Sequence, residues 1–209
     1  MGVLSNYGEL KTAVQTYAKR STSAFIDNLP TFVMRAHVVL LRDLNIPLLQ
    51  ATADLTINAE RVSVPSDFRA VQRLSIDADW DNPLSPTSIE LRLRASVKYT
   101  SGRPRVFALE GDKLAFGPVP DTTYTGKLLY KRALPFFTSD LSTNDLLTRY
   151  PYAYLYGALA EAYGFDKFDE DQAKYEALFR SEIDSINRAE QANSMSGGVL
   201  QPGASGPLV

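Results

Sequence analysis

The chain has no cysteine and a single histidine, His37, in 209 residues. No disulfide or thiolate metal site can therefore form, and Ser-His or Cys-His nucleophilic chemistry would rest on His37 alone. A zinc site wants more nitrogen and sulfur ligands than the chain offers. No Gly-rich phosphate loop followed by Lys and Ser/Thr occurs. The most apolar run, residues 32–41, is interrupted by Arg35 and His37 and is too short to span a bilayer, so no membrane partner is expected. Met1 is followed by Gly-Val-Leu-Ser-Asn rather than by a basic stretch and an apolar one, so no secretory signal is expected. Nor is there a basic block. Residues 1–45 carry five basic and three acidic side chains, residues 46–140 twelve and eleven, residues 141–191 five and ten, and residues 192–209 none. This distribution argues against a dedicated nucleic-acid binder.

What is present is mostly scaffold. A chain of this length buries roughly 70% of its unfolded surface without a staple. The stretch 146–190 reads as an antiparallel helix pair. Pro151 suits a first helical turn, and Leu155, Leu159 and Ala162 share one face. Gly164 is a fitting residue to end that helix, and Asp166 with Asp169 is a near capping box for the next. Phe168, Tyr175, Phe179, Ile183 and Ile186 then form one stripe, opposite Glu170, Lys174, Arg180, Asp184 and Arg188.

Upstream, Asn6 with Glu9 marks a helix start, and Leu10, Val14 and Tyr17 continue it to about Arg20. Ser21-Thr22-Ser23 breaks it. Asn28 and Pro30 open a second helix to about Leu44, apolar nearly all round and therefore expected to be central and buried, with Arg35 and Arg42 reaching the rim. The period then changes. Residues 51–57, 61–64, 71–76, 105–109, 113–116 and 124–130 read as strands, with Gly111-Asp112 as a tight hairpin signal. Residues 77–86 form a polar turn. In 88–97 the alternation of Ile89, Leu91 and Leu93 with charges allows a strand, but Pro86 suits a helix start and a short helix is preferred. Ser142 with Asp145 caps another short helix. The whole reads as an α+β fold: a mainly helical bundle (1–47 and 136–191) with an inserted small β-rich subdomain (48–135) and a flexible C-terminal arm (192–209) rich in Ser, Gly and Pro.

Candidate chemistry is thin. His37 sits in an apolar helix and reads as a satisfied structural histidine. Asp77, Asp79 and Asp81 alternate like calcium-loop ligands, but Asn82 stands where Gly is needed and Ser88 where the bidentate acid is needed. Asp166, Asp169, Glu170 and Asp171 are explained by the helix macrodipole. Tyr150, Tyr152, Tyr154, Tyr156 and Tyr163 outnumber what one helix face buries. Intramolecular packing and a subunit interface both account for them. No cofactor, no metal and no catalytic residues are expected. A carboxylate-dependent hydrolase seated in the β-rich insertion and a monomeric binding module are the alternatives to a structural role.

A series of short pieces runs along the chain: Leu29-Pro30, Arg35-Ala36 and Leu41-Arg42-Asp43-Leu44, then Val64-Pro65-Ser66-Asp67-Phe68. Gly102-Arg103-Pro104, Gly117-Pro118-Val119-Pro120-Asp121 and a strand ending at Tyr130 follow. Tyr150-Pro151 then opens a helix with Gly157-Ala158 and Glu161-Ala162. In the order and spacing of these pieces the chain resembles the head–tail adaptor (connector) proteins of tailed bacteriophages. His37 departs from the pattern, which has an acidic residue there. The resemblance implies a structural virion protein, not an enzyme, at the head–tail junction, assembled in the bacterial host cytoplasm. It implies a dodecameric homo-oligomeric ring under the portal protein, above a tail or nozzle protein, passing double-stranded DNA without reading its sequence. Such subunits pack through their helical bundles, so Arg35, Arg42, Tyr152, Tyr156, Glu170 and Asp184 are the expected subunit-interface residues. Val199, Leu200, Leu208 and Val209, two apolar pairs in the arm, are the expected portal-binding residues.

Overall fold

A computed structural model describes residues 4–77, 79, 81–98, 101–165 and 167–195. The elements are α1 (Tyr7–Ala18), α2 (Ser23–Asp43), a 3₁₀ turn (Pro47–Leu49), β1 (Gln50–Ile57), β2 (Arg61–Ser63), β3 (Phe68–Ile76), β4 (Ser85–Pro86), α3 (Ile89–Lys98), β5 (Val106–Glu110), β6 (Lys113–Gly117), β7 (Tyr124–Arg132), α4 (Asp145–Arg149), α5 (Pro151–Phe165) and α6 (Asp169–Met195). The fold is α+β. Its elements divide into a helical unit, built from the segments before Leu49 and after Leu134, and a β-rich unit from Leu49 to Leu134.

In the helical unit α5 is the central element, and it packs on α1, α2, α4 and α6. Its sequence allows this because most of its inward positions are small: Ala153, Gly157, Ala158, Ala160 and Ala162 are buried with Tyr154, Leu155 and Leu159. At Gly157 the backbones come closest. A Cβ there would lie 2.8 Å from Ala36 Cβ on α2 and 2.8 Å from the Phe179 ring on α6. α1 begins as expected, with the Asn6 side chain accepting from the Glu9 amide at 2.9 Å, and Leu10 and Val14 are fully buried.

Several expectations need correction. α2 starts at Ser23, capped by Thr22, so Pro30 lies inside it rather than at its start. Asn28 does not cap; its amide donates to Ala24 O within the helix at 2.8 Å. α2 is also not buried all round. Phe25, Leu29, Phe32, Val33, Leu40 and Leu41 face the core, but Ile26, Met34 and Val38 are exposed. At 21 residues it is long and apolar enough to cross a membrane by length and composition, yet 44% of its most apolar window is buried in this fold. α5 runs through Gly164 to Phe165, and Gly164 lies close against the Gln172 amide of α6. The expected cap Asp166 lies outside the described residues. α4 is capped by Asn144, whose side chain accepts from Leu147 N at 2.8 Å, while Ser142 closes a turn onto Ser139 O. Phe168 is exposed, under the Arg20 guanidinium at 4.8 Å. α6 continues through 192–195, residues whose composition suits the arm.

The β-rich unit holds two sheets, ordered β1-β7-β3 and β2-β6-β5-β4. Their facing side chains form one core of Leu55, Ile57, Leu74, Ile76, Leu84, Phe107, Leu114, Phe116, Leu128 and Tyr130. Alternation follows from the period of two: Phe107, Leu114 and Phe116 face this core, and Val106, Ala108, Ala115 and Gly117 face the other way. α3 packs on β5 and β6. β5 and β6 form the expected hairpin, with Glu110 opposite Lys113 and Gly111 at φ 62°.

Replacing Gly157 by Ala tests the helix crossing. The methyl gains about 1 kcal/mol of helix propensity but collides with Ala36 and Phe179, and overpacking costs about 1–3 kcal/mol. A net loss of stability in chemical denaturation is expected.

Candidate interaction surfaces

α2, α5 and α6 of the helical unit carry the expected interface residues. Arg35 is exposed on α2 and pairs with Glu161 of α5 at 2.8 Å. Arg42 pairs with the adjacent Asp43 at 2.6 Å, and Asp43 O accepts from the Asn187 amide of α6 at 3.1 Å. The Asn187 side chain also accepts from Asn45 N at 2.8 Å, which ties α6 to the end of α2. Arg35 lines a cleft of about 340 Å³ with Asn28, Phe32 and Phe165. Arg42 lines a second of about 230 Å³ with Val39, Phe179 and Arg180. Glu170 and Asp184 are exposed on α6. Among the ion pairs of the described residues neither is joined to these arginines. Glu161 takes that role for Arg35.

The tyrosines split into two groups. Tyr152, exposed, stacks on half-buried Tyr156 with ring centroids 6.0 Å apart. Tyr156 meets Tyr175 at 6.5 Å, and Tyr175 stacks on Tyr163 at 5.3 Å. These rings form a ladder across α5 and α6. Burial raises the pKa of Tyr156, Tyr163 and Tyr175. Tyr150 donates to Glu190 at 2.6 Å. Tyr154, by contrast, is fully buried. Its hydroxyl accepts from the Asn144 amide at 3.2 Å and lies 2.6 Å from His37 Nδ1. The direction of this bond follows the tautomer of the His37 ring. Burial pushes the Tyr154 pKa well above the ordinary tyrosine value. His37 is therefore the structural histidine its setting suggests, in a shell with Phe136 and Phe137.

The β-rich unit contains a charge cluster that no motif announced. Arg92 of α3 is fully buried. Its two terminal nitrogens donate to Glu60 and to Glu110, the latter at 2.8 Å. Arg61 donates to the same two acids, through Nε to Glu110 at 2.7 Å and through Nη1 to Glu60 at 3.0 Å. Glu60 and Glu110 could pass for a catalytic carboxylate pair. Each is instead held between two guanidiniums, and the Arg61 hydrogen bond, followed by the Arg92 charge, lowers the Glu110 pKa. A general acid needs the opposite shift. Asp79 accepts from Asn82 N and Nδ2, and Asp77 accepts from Thr125 N. Asp79 thus closes its own turn, and Asp77 joins that turn to β7. Among the described residues no group of three His, Asp or Glu is placed to hold a metal. Val199, Leu200, Leu208 and Val209 lie outside the described residues.

The SU10 adaptor protein family matches residues 5–202, nearly the whole chain. The chain belongs to that family. It is a phage structural adaptor, a virion component of the head–tail junction that interacts with other phage head and tail proteins. No curated protein matches it.

Two measurements check these assignments. Tyr154→Phe removes the hydroxyl that His37 Nδ1 and the Asn144 amide share, a loss of about 1–3 kcal/mol. Adding His37→Leu should recover part of that loss, because both partners are then apolar. For Glu110 the folded pKa lies below the unfolded one, so its contribution is complete above the ordinary glutamate range near 4.3. It is lost as pH falls through the lower folded value. Glu110→Gln should be less stable than the parent at pH 7, and its stability should fall less between about pH 5 and pH 3.

Proposed function

We propose that the adaptor assembles into a closed homo-oligomeric ring beneath the portal protein and hands the DNA channel on to a tail or nozzle protein. The resemblance to phage connectors supports a dodecamer, passage of double-stranded DNA without sequence readout, no catalysis, and assembly in the bacterial host cytoplasm. The observation that carries the self-association is the surface of the helical unit. Exposed Arg35 and Arg42 line two clefts along α2, while α6 exposes Glu170 and Asp184, so one bundle offers both signs of charge to a neighbour. Tyr152 and Tyr156 add apolar area with a hydroxyl handle. In this reading the arm, through Val199-Leu200 and Leu208-Val209, docks on the portal. Each arm binds weakly, and multivalency round the ring supplies the strength.

The test is particle assembly with Arg42→Glu combined with Tyr156→Ala. Interface anchors of this kind are worth about 2 kcal/mol or more on truncation, so neighbour affinity should fall more than tenfold and adaptor occupancy should drop. A melting control separates this from unfolding, since Tyr156 also contacts its own chain. Full occupancy with stable tails would overturn the contact assignment.

A further inference from the structure

Two helices in this chain turn regular apolar rows outward. On α2, Ile26, Pro30, Met34 and Val38 recur every fourth residue and all are exposed. On α3, Ile89, Leu93 and Val97 do the same, with Val97 84% exposed. A surface helix ordinarily turns such a face inward. In α3 the inward position belongs instead to Arg92, held by Glu60 and Glu110, and Gly117 leaves its stem room: a Cβ there would stand 3.2 Å from Arg92 Cγ. The ion pairs therefore set the helix's rotation, and the described residues leave the apolar row uncovered.

We propose that the α3 row of one copy packs across the α2 row of the next, an inference that rests on the ring reading above. The occupant is a second copy because the two rows match in shape, in charge and in symmetry. Both are ridges of side chains four apart, about 18 and 12 Å long, the kind that interdigitate at a crossing angle near −50°. Each row is flanked on the same side by one acid and one base. Asp27 and Arg35 follow Ile26 and Met34; Glu90 and Arg94 follow Ile89 and Leu93. In an antiparallel pair, like sides of the two helices face each other. Asp27 then meets Arg94 and Arg35 meets Glu90, each joining a pair already made within its own chain, Arg94 with Glu90 at 2.6 Å and Arg35 with Glu161 at 2.8 Å, and the helix dipoles oppose. A parallel alignment loses both pairs. Finally, the rows are different surfaces of one chain, so the contact is head-to-tail and propagates until the ring closes, whereas either row on itself would stop at a dimer. Seven side chains cover less than the roughly 800 Å² per partner of a free-standing interface, so this contact reinforces those of the helical units.

The absence of native cysteine makes the test direct. The antiparallel alignment sets Met34 opposite Ile89, so full-length chains carrying both Met34→Cys and Ile89→Cys are assembled into particles and oxidised. A ladder of covalent species beyond the dimer is expected, with neither single variant passing dimer. Arg35→Glu or Glu90→Arg, added separately to the paired-cysteine chain, should reduce the ladder several-fold, and the two together should restore it. If imaging shows an intact ring but no ladder forms, the inference fails and the ring reading stands. If no ring is present, both fail. A photo-crosslinker at Leu93 gives an independent result. An adduct of twice the chain mass supports the inference, and an adduct with a different virion protein overturns it.

Discussion

The helical unit depends on how closely three helices approach at Gly157. α5 can touch α2 and α6 there only because neither Gly157 nor Ala36 carries more than a methyl group. From that approach follow the burial of Leu155, Leu159 and Phe179, the reach of Tyr154 to His37 across α2, and the two clefts whose walls hold Arg35 and Arg42. It also explains the Gly157-Ala158 step within the resemblance to phage connectors. A larger residue would push α6 outward and with it the tyrosine ladder.

Each unit also contains one buried polar group whose partners come from distant parts of the chain. In the helical unit Tyr154 joins α2, α5 and the cap of α4 through side-chain hydrogen bonds. In the β-rich unit Arg92 joins α3 to the start of β2 and the end of β5 through charged ones. Both arrangements favour one packing over others, because any alternative strands a buried donor or acceptor. The ionic one has an incomplete partner set, with Arg92 Nε unbonded. Buried ion pairs add little net stability, and a well-packed apolar side chain often does as well. The arginine is better understood as setting which side of α3 faces out.

Much of this was legible in the residues. Asn6 with Glu9 located the start of α1, and periodicity located the longer strands and the antiparallel α5 and α6. The helix preferred over 88–97 is present as α3, but Pro86 lies in β4, inside the stretch read as a polar turn, and the Ser88 hydroxyl accepts from Leu91 N at the helix start. The misses share a cause. Pro30, Gly164 and Ser142 read as local punctuation, yet Pro30 sits on an exposed helix face that tolerates it, Gly164 makes room for Gln172, and Asn144 displaces Ser142 because its side chain also serves Tyr154. α2 looked buried all round because composition does not reveal which neighbour is missing. Of the interface candidates, the exposure of Arg35, Arg42, Glu170 and Asp184 follows from helix phase. The pairing of Arg35 with Glu161 does not, since 126 positions separate them. The Arg92 cluster was hidden for the same reason, since Glu60 and Glu110 lie 32 and 18 positions from Arg92.

The β1–β7 ladder has a consequence for the chain's architecture. Gln50 pairs with Lys131, so the strands by which the chain enters and leaves the β-rich unit lie side by side, about 5 Å apart. To the helical unit, everything between them is a loop whose ends are already joined. The entropy of closing that long excursion is met within the insertion itself, and lengthening the excursion adds only about 0.6 kcal/mol per doubling in any case. The insertion can therefore grow, shrink or be exchanged for another β-module without altering the distance α2 and α4 must bridge. An adaptor built this way can vary what it presents to the rest of the virion while its helical frame stays unchanged.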